Sequence, residues 1–221
     1  PLAGFLGLLA VPDVPLVFFG LLAIGFFERA LRTDQLLYWA LTGWFVALGL
    51  CTHYRFFLYP AAAILFLTCF TTARSQWKNP RLWLCILIAC VGLIPILWFN
   101  LSNHLSSASF YFVDRHPWEF QASGLLHLFK QAGLVTPGLY LLFGYTIYLM
   151  YQKANHGDRS AALLLSFSLV NILVYLLLAP WTDATSTSIH WPLSGYFPLL
   201  IYLPFALRSA ASLLGTYFTA P

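Results

Sequence analysis

Charged residues are scarce: Asp, Glu, Lys and Arg make up 8% of the 221 residues, where a soluble domain carries about 25%. So few ionised side chains cannot cover a water-exposed surface, which excludes an ordinary soluble globular domain. Cysteine is sparse too, at four residues. None forms a CxxC pair, and Cys69, Cys85 and Cys90 fall inside apolar runs, where a thiol behaves as a small hydrophobe. A disulfide framework and a zinc knuckle are thereby excluded. The 11 Lys and Arg, set against 7 Asp and Glu for a net +4, are scattered between apolar runs instead of clustering on one basic face. Nucleic-acid binding is not expected from such a pattern. The opening run Leu2 to Val11 lacks the basic n-region of a signal peptide and reads as the end of a helix already under way. The chain starts at Pro1 and stops without a polar tail. Residues 1–221 are therefore expected to be part of a single transmembrane domain, excerpted from a longer protein.

What is abundant is hydrocarbon: 60% of residues are hydrophobic and 18% aromatic, with a mean hydropathy of +0.77. A spanning helix needs about 20 mostly apolar residues. Charge-free runs occupy Val14 to Phe27, Leu36 to Tyr54, Phe56 to Ala73, Leu82 to Asn100, Gln131 to Gln152, Ala161 to Thr182 and Trp191 to Leu207. The expected fold is all-α: a polytopic transmembrane helical bundle of about seven spans plus the end of a preceding one. Lys and Arg set the orientation of such a chain. With Asp13 on the non-cytoplasmic side, eight basic residues (Arg29, Arg32, Arg74, Lys78, Arg81, Lys153, Arg159, Arg208) fall in inner loops, and three (Arg55, Arg115, Lys130) fall outside.

The outer segments hold most of the chemistry. Four of the six histidines and four of the seven acids lie there, on loops and helix ends where functional groups of membrane proteins concentrate. Asp13 stands between Pro12 and Val14-Pro15 at the start of a span, either a rigidly mounted acid or a helix N-cap. His53, Tyr54 and Arg55 join two spans almost without a loop, either as a phosphate contact or as snorkelling anchors. The segment from Asn100 to Gly124 carries Asn100, His104, Asp114, Arg115, His116 and Trp118. The fork of Arg115 suits a phosphate, though Asp114 or Glu119 would also satisfy it. His190 follows a Thr/Ser-rich loop that contains Asp183. His104, His116 and His190 lack the close spacing of a helical metal-ligand motif, so no cofactor is expected, a divalent metal being the alternative.

Read in order, these stretches resemble the bacterial dolichyl-phosphate-mannose-protein mannosyltransferase-like family, a branch of the GT-C membrane glycosyltransferases. Pro12-Asp13-Val14-Pro15-Leu16 is similar to that family's Pro-Asp-x-Pro-Leu start of a span, and Thr52-His53-Tyr54 to its Thr-Lys-Tyr turn, with histidine where many relatives carry lysine. Trp98-Phe99-Asn100, His104 and Ser109-Phe110-Tyr111-Phe112 resemble its outer loop; Arg115-His116-Pro117-Trp118 and His190-Trp191-Pro192 complete the likeness. The resemblance implies transfer of a sugar, with inversion, from a polyprenyl-phosphate donor to a protein, lipid or glycan acceptor. The transfer would occur at the periplasmic or exterior face of a bacterial inner membrane. It also implies a catalytic acid in an outer loop upstream of Pro1, which would leave the isolated chain inactive. Asp13 would then be the family's second acidic position near the active site, and Tyr54, Arg55, Asn100, His104, Arg115 and His190 would contact phosphate or sugar. Two rivals remain at this stage. A secondary transporter would place ionisable groups near the bilayer midplane, and a non-enzymatic membrane scaffold would use the polar loops only for solvation.

Overall fold

The structure, a computed structural model, describes residues 12–114, 116, 118–182 and 189–218. Among them every regular element is helical. The long helices are α1 (Asp13–Thr33), α2 (Leu36–Leu50), α3 (Leu58–Cys69), α4 (Pro80–Val91), α5 (Ile94–Ser102), α6 (His127–Val135), α7 (Pro137–Asn155), α8 (Arg159–Leu178) and α9 (Leu193–Phe218). Their starts follow local chemistry. Pro80 and Pro137 open helices at a position whose N–H would have no intrahelical partner. The side chains of Asn79 and Asp158 accept from the N–H groups of Arg81 and Ala161 and cap α4 and α8.

Helix α8 is the hub, packing on α3, α7 and α9, while α1 packs on α2, α2 on α4, and α9 reaches back to α1. The core runs through these contacts, with Trp39, Phe56, Tyr59, Phe66, Met150, Leu163 and Leu199 essentially inaccessible. The α2–α4 contact is a close backbone approach. A side chain at Gly43 would meet the Cys85 carbonyl and one at Gly92 the backbone of Ala47, so small residues set that spacing.

Three helical stretches are long and apolar enough to cross a membrane on their own: Asp13–Thr33, Pro80–Ser102 and Arg159–Trp181. The number rises to five if each bent pair is one span, so the seven charge-free runs do not become seven straight spans among the described residues. The reason is backbone direction, to which hydropathy is blind. The run Phe56 to Ala73 breaks at extended Phe70, and the axis turns by 104° between Tyr54–Cys69 and Thr71–Lys78. The run Gln131 to Gln152 breaks at Thr136, with φ 78°, and turns by 109° between Ala122–Val135 and Pro137–Asn155. Helix α2, at 15 residues, is short for a bilayer.

The two ends of α1, about 31 Å apart at 1.5 Å per residue, carry different polar clusters. At its C-terminal end the Asp34 carboxylate accepts from Asn79 Nδ2 at 2.8 Å and Trp39 Nε1 at 3.0 Å, and pairs with Arg81. Asn79, Trp39 and Arg81 together hold the Asp34 carboxyl below the usual carboxylate range. The N-terminal end carries Asp13.

Candidate functional site

Asp13 is the first residue of α1 and is only 4% exposed. Its side chain does not cap the helix: Pro12 occupies the N-cap and no side-chain cap bond forms. The carboxylate turns to two cationic or potentially cationic groups instead. Oδ1 lies 2.8 Å from Arg55 Nη1, and Oδ2 lies 3.3 Å from His190 Nε2. The positive end of the α1 dipole adds to this attraction. Residues far apart in sequence thus meet because α1, the α2–α3 connection and the start of α9 share one end of the bundle.

Local structure explains the pose of Arg55. Helix α2 ends at Leu50, and a 3₁₀ turn over Tyr54–Phe57 leads into α3. Extended His53 (φ −164°, ψ 149°) starts that turn, its Nδ1 accepting from the Arg55 N–H at 3.1 Å. An accepting Nδ1 leaves the ring proton of neutral His53 on Nε2, which faces the Tyr111 hydroxyl at 3.4 Å. His53 therefore braces the turn in this structure. The Arg55 guanidinium lies 5.0 Å from the Trp191 ring centroid, and Trp191 packs on Tyr175 at 5.6 Å. Arg55 Nε is buried and has no hydrogen-bond partner among the described residues.

A second polar group lies alongside. Asn100 Nδ2 donates to the Tyr54 hydroxyl at 2.8 Å and to the Ile96 carbonyl at 2.9 Å, while its Oδ1 accepts from the Ala108 N–H at 3.0 Å. The amide thus ties α5 to the segment that follows it. Tyr54 and Tyr111 pack with ring centroids 4.8 Å apart.

The His53–Arg55 turn, Asn100, Tyr111, Tyr175 and Trp191 border one cavity of about 600 Å³, and Asp13 and His190 meet Arg55 without lining it. His53, Tyr54, Arg55, Asn100, Tyr111 and His116 supply its polar part, and Leu58, Ile96, Leu97, Val174 and Leu178 a hydrocarbon wall. Phe57 also borders a neighbouring cavity of about 410 Å³ between α1, α2, α3 and α4, whose other lining includes Val46, Leu67, Leu82 and Ile86. Its one hydroxyl besides Tyr59, that of Thr42, is spent on the Tyr38 carbonyl at 2.7 Å.

Of the residues singled out from sequence, Asp13, Arg55 and His190 come together, and Tyr54 and Asn100 line the same cavity as Arg55. His104 stands apart, exposed with φ 51° in the turn after α5, and does not border the cavity. Arg115 and Asp183 lie outside the described residues. No group of three or more His, Cys, Asp or Glu that could hold a metal is found among the described residues. Sequence reasoning passed over Tyr175, placed in an apolar run, and took Trp191 and Tyr111 as parts of the family-like stretches; their ring contacts carry no sequence signal.

Residues 1–99 match the family model described as dolichyl-phosphate-mannose-protein mannosyltransferase. The match bears out the resemblance read from the motifs over the part that includes Asp13 and the His53–Arg55 turn. It points to a membrane glycosyltransferase of the mannosyltransferase type. No curated protein and no solved structure matches the chain.

Proposed function

We propose that the protein transfers a sugar from a polyprenyl-phosphate donor to an acceptor, and that the cavity beside Arg55 seats the donor's phosphate. The observation that carries this reading is the pairing, in one cavity, of an arginine held in place by Asp13 and Trp191 with a long hydrocarbon wall. A lipid phosphate combines the same two chemistries. The neighbouring cavity, which shares Phe57 as lining, continues the apolar surface along α3 and α4 and suits an isoprenoid chain, since a space walled almost wholly by hydrocarbon does not favour water.

In this reading the departing polyprenyl phosphate gains negative charge as the glycosidic bond breaks, and Arg55, fixed in place beforehand, stabilises that charge where water is scarce. Asp13 acts by holding Arg55 and His190, each through one oxygen. Tyr54, Asn100 and His190 provide hydrogen-bonding groups around the sugar, and Arg115 a further contact to the phosphate. The end of the bundle that carries Asp13 faces the non-cytoplasmic side, as the distribution of basic residues supports.

The test is Arg55→Lys in the complete protein in membranes, with polyprenyl-phosphate mannose as donor. Lysine keeps the charge and loses the planar fork, so use of the donor weakens by about tenfold or more. Unchanged donor kinetics would remove Arg55 from the phosphate site. Substrate uptake into vesicles without any sugar transfer would favour the transporter reading.

A further inference from the structure

Gln131 belongs to the run expected to begin a span, yet it is only 1% exposed and sits on α6, the helix that turns 109° away from α7. All of its amide is engaged. Nε2 donates to the Ile189 carbonyl at 2.7 Å and faces His127 Nε2 at 3.3 Å, while Oε1 accepts from the Tyr196 hydroxyl at 3.0 Å. Because the Ile189 carbonyl can only accept, the nitrogen must face it, and the amide has one orientation. A buried polar group whose every partner is supplied specifies a single arrangement of its surroundings.

The partners make this arrangement consequential. Ile189 immediately precedes His190, which meets Asp13, and Trp191, which covers Arg55. On the far side of those two residues, the Ser194 hydroxyl donates to Asn171 Oδ1 at 3.0 Å, and Asn171, 1% exposed, is tied to its own helix α8 through the Phe167 carbonyl. Tyr196, stacked on Phe143, completes the hold from α7. The His190-Trp191 pair is therefore bracketed by two buried amides on different helices, one gripping Ile189 directly before it and the other Ser194 three residues after Trp191.

We infer that Gln131 is a positioning residue: from α6 it clamps the 189–196 segment so that His190 and Trp191 keep their places against Asp13 and Arg55. It touches neither, and acts only through them. The inference rests on the proposed transferase reading for its consequence in catalysis, though the clamp itself can be tested without it.

Gln131→Met keeps the length and removes all three hydrogen bonds. In the complete protein reconstituted in lipid, hydrogen exchange across residues 189–196 should speed up, including the amides of Leu193 and Gly195 that now donate to His190 and Pro192. Exchange unchanged from the parent would overturn the clamp whatever the transfer activity. With polyprenyl-phosphate mannose as donor, kcat should fall by about 10- to 100-fold, the scale expected for an ångström of misplacement. In a His190→Gln background the same substitution should cost no more than about threefold, because residues acting through one another are not additive. Full multiplication of the two losses, or an unchanged kcat, would assign Gln131 a purely structural role and overturn the inference. If Gln131→Met fails to accumulate, Tyr196→Phe removes one bond of the clamp and is read by the same exchange and the same cycle. Faster exchange in Gln131→Met, with a parent protein that itself transfers no sugar, would uphold the clamp and reject the transferase reading.

Discussion

At one end of α1 Asp13 faces Arg55, the two side chains 6% and 13% exposed; at the other Asp34 faces Arg81, with 52% and 43% exposed. The groups are the same and the surroundings differ. Around Asp34 water competes for every bond, so the pair adds little to stability, as is usual for surface ion pairs. Around Asp13 there is little water to take over. Its carboxylate, Arg55 and His190 depend on each other, and the loss of one leaves charge buried in an apolar setting. A fold tolerates such an arrangement more readily where the charges serve a purpose. Arg55 of the buried pair lines the cavity proposed to seat the donor phosphate, whereas the exposed pair joins the α1–α2 connection to the start of α4 and borders neither described cavity.

The sharpest break in this comparison is sidedness, an all-or-none effect. Single cysteines at Ser107 and Asn155, introduced where the four native cysteines have been replaced, should react with an impermeant reagent from opposite faces of the membrane. Reaction of both from one face would remove the assignment of the Asp13 end to the non-cytoplasmic side. The next largest effect belongs to Asp13 itself. Asp13→Ala should cost about 3–5 kcal/mol of stability, measured by thermal or denaturant unfolding in lipid, because Arg55 would stay buried without its counter-charge. Asp13→Asn keeps the shape and loses the charge, and its transfer rate should fall by about 10²–10³-fold, the scale of one lost preorganised electrostatic contact. An Asn variant with full activity would show that the buried cluster is merely structural.

Much of this site was legible because topology does most of the gathering. A chain whose charge-free runs reverse direction must bring alternate connections to the same end, and that reasoning put Asp13, Tyr54, Arg55, Asn100 and His190 on one face before any coordinates. The pairings within that face were not legible. Asp13 next to two prolines reads either as a mounted acid or as a helix cap, and only the packing of α9 against α1 shows that its oxygens go to Arg55 and His190. His53 was open to a phosphate contact or a snorkelling anchor, and the extended conformation that turns its Nδ1 back onto the Arg55 N–H is a backbone fact with no composition signal. The bend at Phe70 stayed hidden for the same reason, inside an apolar run without a marked helix breaker, whereas Pro137 directly after Thr136 is a break signal that a count of charge-free runs leaves out.

Trp191 offers a smaller, sharper probe of why the two pairs differ. It covers Arg55 in a desolvated setting, where a cation over an indole face is worth about 0.5 to 2 kcal/mol. Trp191→Leu should therefore weaken donor binding by about 2- to 30-fold, with the protein still inserted and folded. The loss should appear in KM for polyprenyl-phosphate mannose more than in kcat, if the ring serves mainly to hold the guanidinium ready. A variant with unaltered KM would mean that burial alone, without the ring, keeps Arg55 in position.

The smallest effect is expected at Asp34, and its smallness is itself the test of the comparison. Its carboxyl is held below the ordinary range by hydrogen bonds from Asn79 and Trp39 and by Arg81. A group with a lowered folded-state pKa contributes stability that is present above the unfolded value, about 3.9, and is lost as the pH falls through the folded value. Between pH 5 and 8 the contribution should therefore be constant, and Asp34→Asn should lower the melting temperature by a small, pH-independent amount. Below about pH 4 the parent loses the same interaction by protonation, so the two melting curves should converge. High salt should shrink the difference as well, because exposed charges are screened. Sugar transfer should be unaffected throughout, since Asp34 sits about 31 Å along α1 from the cavity end. A marked loss of transfer in Asp34→Asn, or a gap between the curves that widens as the pH falls, would mean that the two ends of the bundle are coupled and cannot be treated as one anchoring end and one chemical end.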